Sequence, residues 1–228
     1  MRKLPLTAAA LLALTAVSPL ALAHQAGDII IRAGAATVDP HEDSGNISAA
    51  AAGGKVAGTK ATVDSDTQLG LAAAYMITDH VGIELLAATP FNHRIGVKGL
   101  GALDGKLADV KQLPPTLSLQ YYPLNPQSRI QPYVGAGINY TLFFDEDLTS
   151  SRKSAAGGGF SNLSLDDSWG YAFQAGVDYE LTDHLLFNAA VWYADIDTKA
   201  TADSALGRVK VDVDIDPWVY MVGLGYKF

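Results

Sequence analysis

From residue 27 to the C-terminus, apolar and polar side chains alternate in repeated stretches with a period of two, the signature of strands with two unlike faces. Eight strands are expected, near 27 to 38, 65 to 77, 81 to 95, 109 to 122, 130 to 144, 167 to 181, 185 to 199 and 209 to 228. One face is apolar: Leu69, Leu71, Ala73, Tyr75 and Ile77 in the second, Leu113, Leu117, Leu119 and Tyr121 in the fourth, Trp169, Tyr171, Phe173, Val177 and Tyr179 in the sixth. The opposite face is small or polar, with Arg32, Gln68, Glu84, Gln120, Gln174, Asp178 and Asn188 among glycines. Polar groups are costly against hydrocarbon and cheap beside one another or water, which assigns this second set to the lumen of a barrel with an apolar outer wall. A soluble sandwich predicts the same alternation with its faces exchanged, so periodicity alone does not separate the two.

Three features favour the barrel. Connections alternate in length: Thr78-Asp79-His80, Pro123 to Arg129 and Thr182-Asp183-His184 are short, whereas 39 to 64, 96 to 108, 145 to 166 and 200 to 208 are longer. Short periplasmic turns opposite longer extracellular loops belong to outer-membrane barrels. Aromatic residues, among them Tyr75, Tyr121, Tyr140, Trp169, Tyr179 and Tyr220, fall near strand ends, where interfacial girdles sit. The last strand places Tyr220, Val222, Leu224, Tyr226 and Phe228 on one face, and this ending resembles the signal read by outer-membrane assembly machinery, with Tyr226 and Phe228 at its core. The expected fold is all-β: one eight-stranded antiparallel transmembrane β-barrel, residues 24–228.

The N-terminus sets the compartment. Arg2 and Lys3 precede an apolar run from Leu4 to Leu22 that closes on Ala21-Leu22-Ala23 before His24, a secretory signal peptide expected to be cleaved after Ala23. Its loss takes two cations from a formal charge of -8 and leaves -10, which excludes nucleic acid as a natural partner. Cysteine is absent, so neither disulfides nor thiolate metal sites hold the fold. Hydrophobic residues make up 49% of the chain without any helical transmembrane run after residue 23, which fits dispersal along barrel strands.

Candidate chemistry is sparse. Carboxylates gather in Asp145-Glu-Asp147, in Asp195 with Asp197, and in Asp212, Asp214 and Asp216, either as a solvated rim or as oxygen ligands for a divalent cation bridging lipopolysaccharide. No regular ligand spacing favours the metal, and no metal or cofactor is expected. Of five histidines, His24, His41, His80 and His184 fall at the terminus, in a loop and in turns; His93 alone has a plausible depth, and no nucleophile motif accompanies it. Catalysis is therefore not expected.

The strings Thr67-Gln-Leu-Gly-Leu71, Glu84-Leu-Leu-Ala-Ala-Thr-Pro-Phe91, Leu113-Pro-Pro-Thr-Leu117, Pro132-Tyr-Val-Gly-Ala-Gly-Ile-Asn-Tyr140, Phe143-Phe-Asp-Glu-Asp147, Val191-Trp-Tyr193 and Asp216-Pro-Trp218 resemble the OmpW family, in order, over almost the whole mature chain. The resemblance implies a largely apolar extracellular funnel constricted by a Leu and a Trp, here Leu86 and Trp192. Parity agrees: Leu86 is in step with Glu84, and Trp192 with Asn188. It further implies passive uptake of small hydrophobic molecules that leave sideways through the wall. Pro90, Pro114 and Pro115 cannot donate ladder hydrogen bonds and mark a candidate lateral opening between the third and fourth strands. Expected partners are outer-membrane lipid, lipopolysaccharide, small hydrophobic solutes and the assembly machinery, with the chain monomeric. Two alternatives stay open: a channel for small amino acids, suggested by the polar lumen, and a non-transporting structural or receptor barrel.

Overall fold

The structure, a computed structural model, describes residues 24–228 apart from 42, 45, 50–52, 102–103, 155–157 and 206. The expected export segment, 1–23, lies outside the described residues. In chain order the strands are β1 (Ile29–Asp39), the short β2 (Asp43–Ser44), β3 (Ser48–Ala49) and β4 (Gly54–Lys55), then β5 (Lys60–Val63), β6 (Asp66–Met76), β7 (Val81–Ala88) and β8 (Phe91–Lys98). They continue with β9 (Gly105–Leu113), β10 (Thr116–Tyr121), β11 (Ile130–Leu148), β12 (Ser161–Leu165) and β13 (Ser168–Glu180). The chain ends with β14 (Leu185–Ala194), β15 (Asp197–Ser204), β16 (Gly207–Asp214) and β17 (Trp218–Lys227).

Eight of these close a barrel in the order β10, β7, β6, β1, β17, β14, β13, β11, with β11 pairing back to β10, every pair antiparallel. The first and last barrel strands are neighbours, Ile30 opposite Lys227 and Asp39 opposite Trp218, so no edge is left unpaired. The alternation has apolar residues outward: Leu69, Leu71, Tyr75, Leu117, Leu119, Tyr171, Phe173, Val222 and Leu224 are all exposed. From Leu69 to Ile77 this wall runs about 27 Å along the strand before tilt, at ~3.4 Å per residue, comparable with a membrane-barrel apolar band of ~25 Å. Rings cluster at both rims, Tyr193 with Trp218 and Tyr140 with Trp169 at one, Tyr226 with Phe228 at the other.

The turn end holds the segment before β1 and the last residues after β17. In the repeated Thr-Asp-His turns the threonine caps the turn: Thr78 Oγ1 accepts from the backbone N–H of His80 and Val81, and Thr182 Oγ1 from those of His184 and Leu185. Each histidine then donates through Nδ1 to a neighbouring backbone carbonyl, His80 to Tyr122 at 2.8 Å and His184 to Lys227 at 2.9 Å. Asp79 accepts instead from the Ala26 N–H, tying the N-terminal segment to this end.

Four of the expected strands are each two. The third divides into β7 and β8 around Pro90, the fourth into β9 and β10 at Pro114-Pro115, the seventh at Asp195-Ile196, and the eighth into β16 and β17 before Trp218. Proline supplies no ladder donor; past Pro90 the chain leaves β6 for β5, whereas β9 and β10 both stay beside β11. Above the barrel β5, β8 and β9 extend from β11 as one sheet, while β12, β15, β16, β3 and β4 form another. Much of the sequence assigned to long loops is thus strand.

Candidate functional site

The two upper sheets face each other across an apolar cavity of about 710 Å³. Alternation builds it: Ile95 and Val97 from β8, Leu107 and Val110 from β9, Leu163 and Leu165 from β12, and Val209, Val211 and Val213 from β16 all line it. None of its lining residues is Asp, Glu, Lys or Arg. These strands stand above the membrane wall and bury their apolar face inward, the reverse of the barrel below. Sequence periodicity signalled these residues, but only the split strands reveal that the inward face changes from polar to apolar.

At the funnel floor Leu86 and Trp192 are buried, 7% and 2% exposed, within one apolar cluster with Phe91, Val38 and Val219. Both also line a small pocket beside Ala88, Pro114 and Gln112. The Trp192 indole N–H has no hydrogen-bond partner among the described residues.

Beneath that floor the lumen is filled. Arg32 on β1 donates through Nη1 to Glu84 at 2.8 Å, through Nε to Asp178 at 3.0 Å, and through Nη2 to Tyr122 Oη and to Asp178. Its guanidinium lies 5.4 Å from the Tyr133 ring centroid. Tyr122 donates to Gln120, Gln120 to Gln174, and Asn188 to both Asp178 and Tyr133. His24 Nε2 reaches Asp178 at 3.2 Å. Arg32, Glu84, Gln120, Gln174 and Asn188 are therefore brought together as parity required. Gln68 is not: it is half-buried at the loop end, bonded to Asp66 and Thr89. Sequence reasoning did not reach Tyr122, Tyr133 and His24, whose partners depend on closure of the barrel. Tyr122 follows outward Tyr121, and that step in parity was the available signal.

The three prolines meet at a break in the wall. Between β7 and β10 the ladder ends at Leu86 opposite Thr116, and pairing resumes between β8 and β9 at Phe91 opposite Gln112. Each lip is held by the strand behind it. Thr89 donates its backbone N–H to Leu69 on β6, and its hydroxyl to Gln68. On the other lip the Pro115 carbonyl accepts from the Tyr140 N–H at 3.0 Å, and Asn139 Nδ2 lies 3.3 Å from the Pro114 and Pro115 carbonyls.

The acidic groups divide. Asp145 pairs with Lys111 and Asp212 with Lys199, all exposed, while oxygens of Asp195, Asp197 and Asp216 lie within 4.8 Å of one another. Partial burial, then the neighbouring carboxylates of Asp195, Asp214 and Asp216, push the Asp197 carboxyl above its ordinary range. At the C-terminus Tyr226 and Phe228 face outward, their rings meeting edge to face.

Known proteins place this geometry. The OmpW family profile matches residues 25–228. Outer membrane protein W of Vibrio cholerae is 47% identical over 223 residues, 96% of each chain. The crystal structure of the outer membrane protein OprG from Pseudomonas aeruginosa superposes with a TM-score of 0.85 at 61% identity, covering 90% of this chain and 97% of that one. A more distant relative, the dibenzothiophene metabolism operon protein PahQ of Pseudomonas aeruginosa, is 27% identical over 184 residues, 77% of this chain and 78% of that one.

Proposed function

The chain belongs to the OmpW family of outer-membrane β-barrels, and from that premise we propose that it takes up small hydrophobic molecules passively, through the extracellular funnel and out sideways between β7 and β10 into the membrane. The observation that carries this reading is the apolar, charge-free cavity above a lumen closed by Leu86, Trp192 and the Arg32 network. An apolar solute gains by leaving water for that cavity. It cannot continue down the axis without displacing buried ion pairs, and at that height the ladder is interrupted beside Pro90, Pro114 and Pro115. The relative named for a dibenzothiophene metabolism operon supports an apolar cargo.

The amino-acid alternative is weaker on the same grounds. A zwitterion would have to shed water in a funnel without a charged residue to replace it, and Gln120 and Gln174 are already bonded below the floor. In this reading residues 1–23 are the cleaved export signal and Tyr226 with Phe228 the assembly signal.

The lateral route is tested by locking the gap. The chain has no native cysteine, so Ala88→Cys with Pro114→Cys can be oxidised cleanly across the small pocket that both line. Uptake of a medium-chain hydrocarbon by cells carrying the oxidised variant is expected to fall to the level of cells without the protein, and to return on reduction. Undiminished uptake with the crosslink formed rules the route out.

A further inference from the structure

Besides Thr198, Thr201 and Ser204, the funnel lining carries two polar side chains that are buried near its floor. His93 and Gln112 line the cavity, 3% and 2% exposed. On the β8–β9 ladder Phe91 faces Gln112 and His93 faces Val110, so His93 and Gln112 are diagonal neighbours on one face, roughly 7–8 Å apart at the backbone. His93 Nδ1 lies 2.6 Å from the Asp64 carbonyl oxygen, which only accepts, so Nδ1 carries the proton and donates it. Burial holds the imidazole below its ordinary range, against the pull of that hydrogen bond and of the Asp66 and Asp64 carboxylates. The ring is then neutral and Nε2 a bare acceptor. Neither His93 Nε2 nor the Gln112 Nε2 donor has a hydrogen-bond partner among the described residues. Unmade buried bonds are unfavourable, and here an acceptor and a donor belong to diagonal neighbours on one face.

We propose that His93 and Gln112 form a recognition subsite for neutral hydroxyl-bearing hydrophobic molecules, alkanols or phenols, whose hydroxyl donates to His93 Nε2 and accepts from Gln112 Nε2 while the apolar body fills the funnel. The proposal rests on the uptake reading above and narrows its cargo. A hydroxyl both donates and accepts and so answers both atoms. A hydrocarbon answers neither, and a carboxylate cannot donate and brings a charge into a lining that has no Lys or Arg. Gln112 also lines the small pocket beside Pro114, so the subsite stands where the funnel meets the break in the wall.

The test compares 1-octanol with nonane, its hydrocarbon counterpart, in matched cells with and without the protein. Protein-dependent uptake should favour octanol, and His93→Phe or Gln112→Leu should reduce octanol uptake about tenfold, the scale of one neutral hydrogen bond, while leaving nonane uptake unchanged. Equal loss for both solutes in a folded variant, or no loss for octanol in either variant, overturns the proposal. Binding is read separately on wild-type protein in lipid nanodiscs with ¹⁵N-labelled histidine. The His93 Nε2 resonance should move with octanol and not with nonane; an unmoved resonance, or equal movement with nonane, overturns the subsite. A shift with octanol but no protein-dependent uptake of either solute keeps the subsite and overturns the uptake reading instead.

Discussion

Arg32 shows what one side chain does in this lumen. It lies within the membrane wall, buried, with carboxylates from β7 and β13 and a phenol from the segment after β10 around its guanidinium. Removing one partner of a buried pair leaves the other charged groups without compensation. Arg32→Ala should therefore destabilise the barrel by about 3–5 kcal/mol, measured by urea unfolding in lipid vesicles; Ala33→Ser, on the lipid-facing side of the same strand, serves as the control. The membership of this network was partly legible. Arg32, Glu84, Gln120, Gln174 and Asn188 share the inner face by counting alone, but their partners depend on closure, which sets His24 against Asp178 across 154 positions of sequence. No local pattern carries such a contact.

At the scale of strands, the closing ladder needs residues without side chains. Gly70, Gly34 and Gly223 stand opposite one another across β6, β1 and β17. A Cβ on Gly34 would run into the Val222 carbonyl, and one on Gly223 into the Ala33 carbonyl. Gly34→Val is accordingly expected to cost about 1–3 kcal/mol of overpacking and to lower the folded yield, read as the fraction showing heat-modifiable gel mobility, whereas Ala35→Val on the outer face should be nearly silent. Strand existence was legible here and strand extent was not. Alternation continues unbroken past Pro90 and Pro114-Pro115, because a sheet above the membrane repeats with the same period as one within it. The prolines announced missing donors; that β8, beyond Pro90, pairs with β5 where β7 pairs with β6 is a property of the assembled sheets.

For the whole molecule, the order of layers along the axis matters more than any single part: an apolar funnel, a floor of Leu86 and Trp192, then a polar network down to the turn end. The barrel as a closed unit was readable from the outward apolar face, the alternating connections and the terminal aromatics. The funnel was not readable from residues alone, since part of its wall, β5 and β12, comes from segments that the sequence presents as loops and the rest from the far halves of expected strands. Two barriers in series should leave no aqueous path, so planar bilayers containing the protein are expected to show conductance at the noise level. Trp192→Ala should not change this, because the Arg32 network remains below it.

That lower network has a consequence for the organism's surface. A water-filled porin admits hydrophilic antibiotics along with nutrients, so its abundance trades against resistance. A barrel whose base is bolted by ion pairs carries no such penalty, and the envelope can hold many copies of it without becoming leaky.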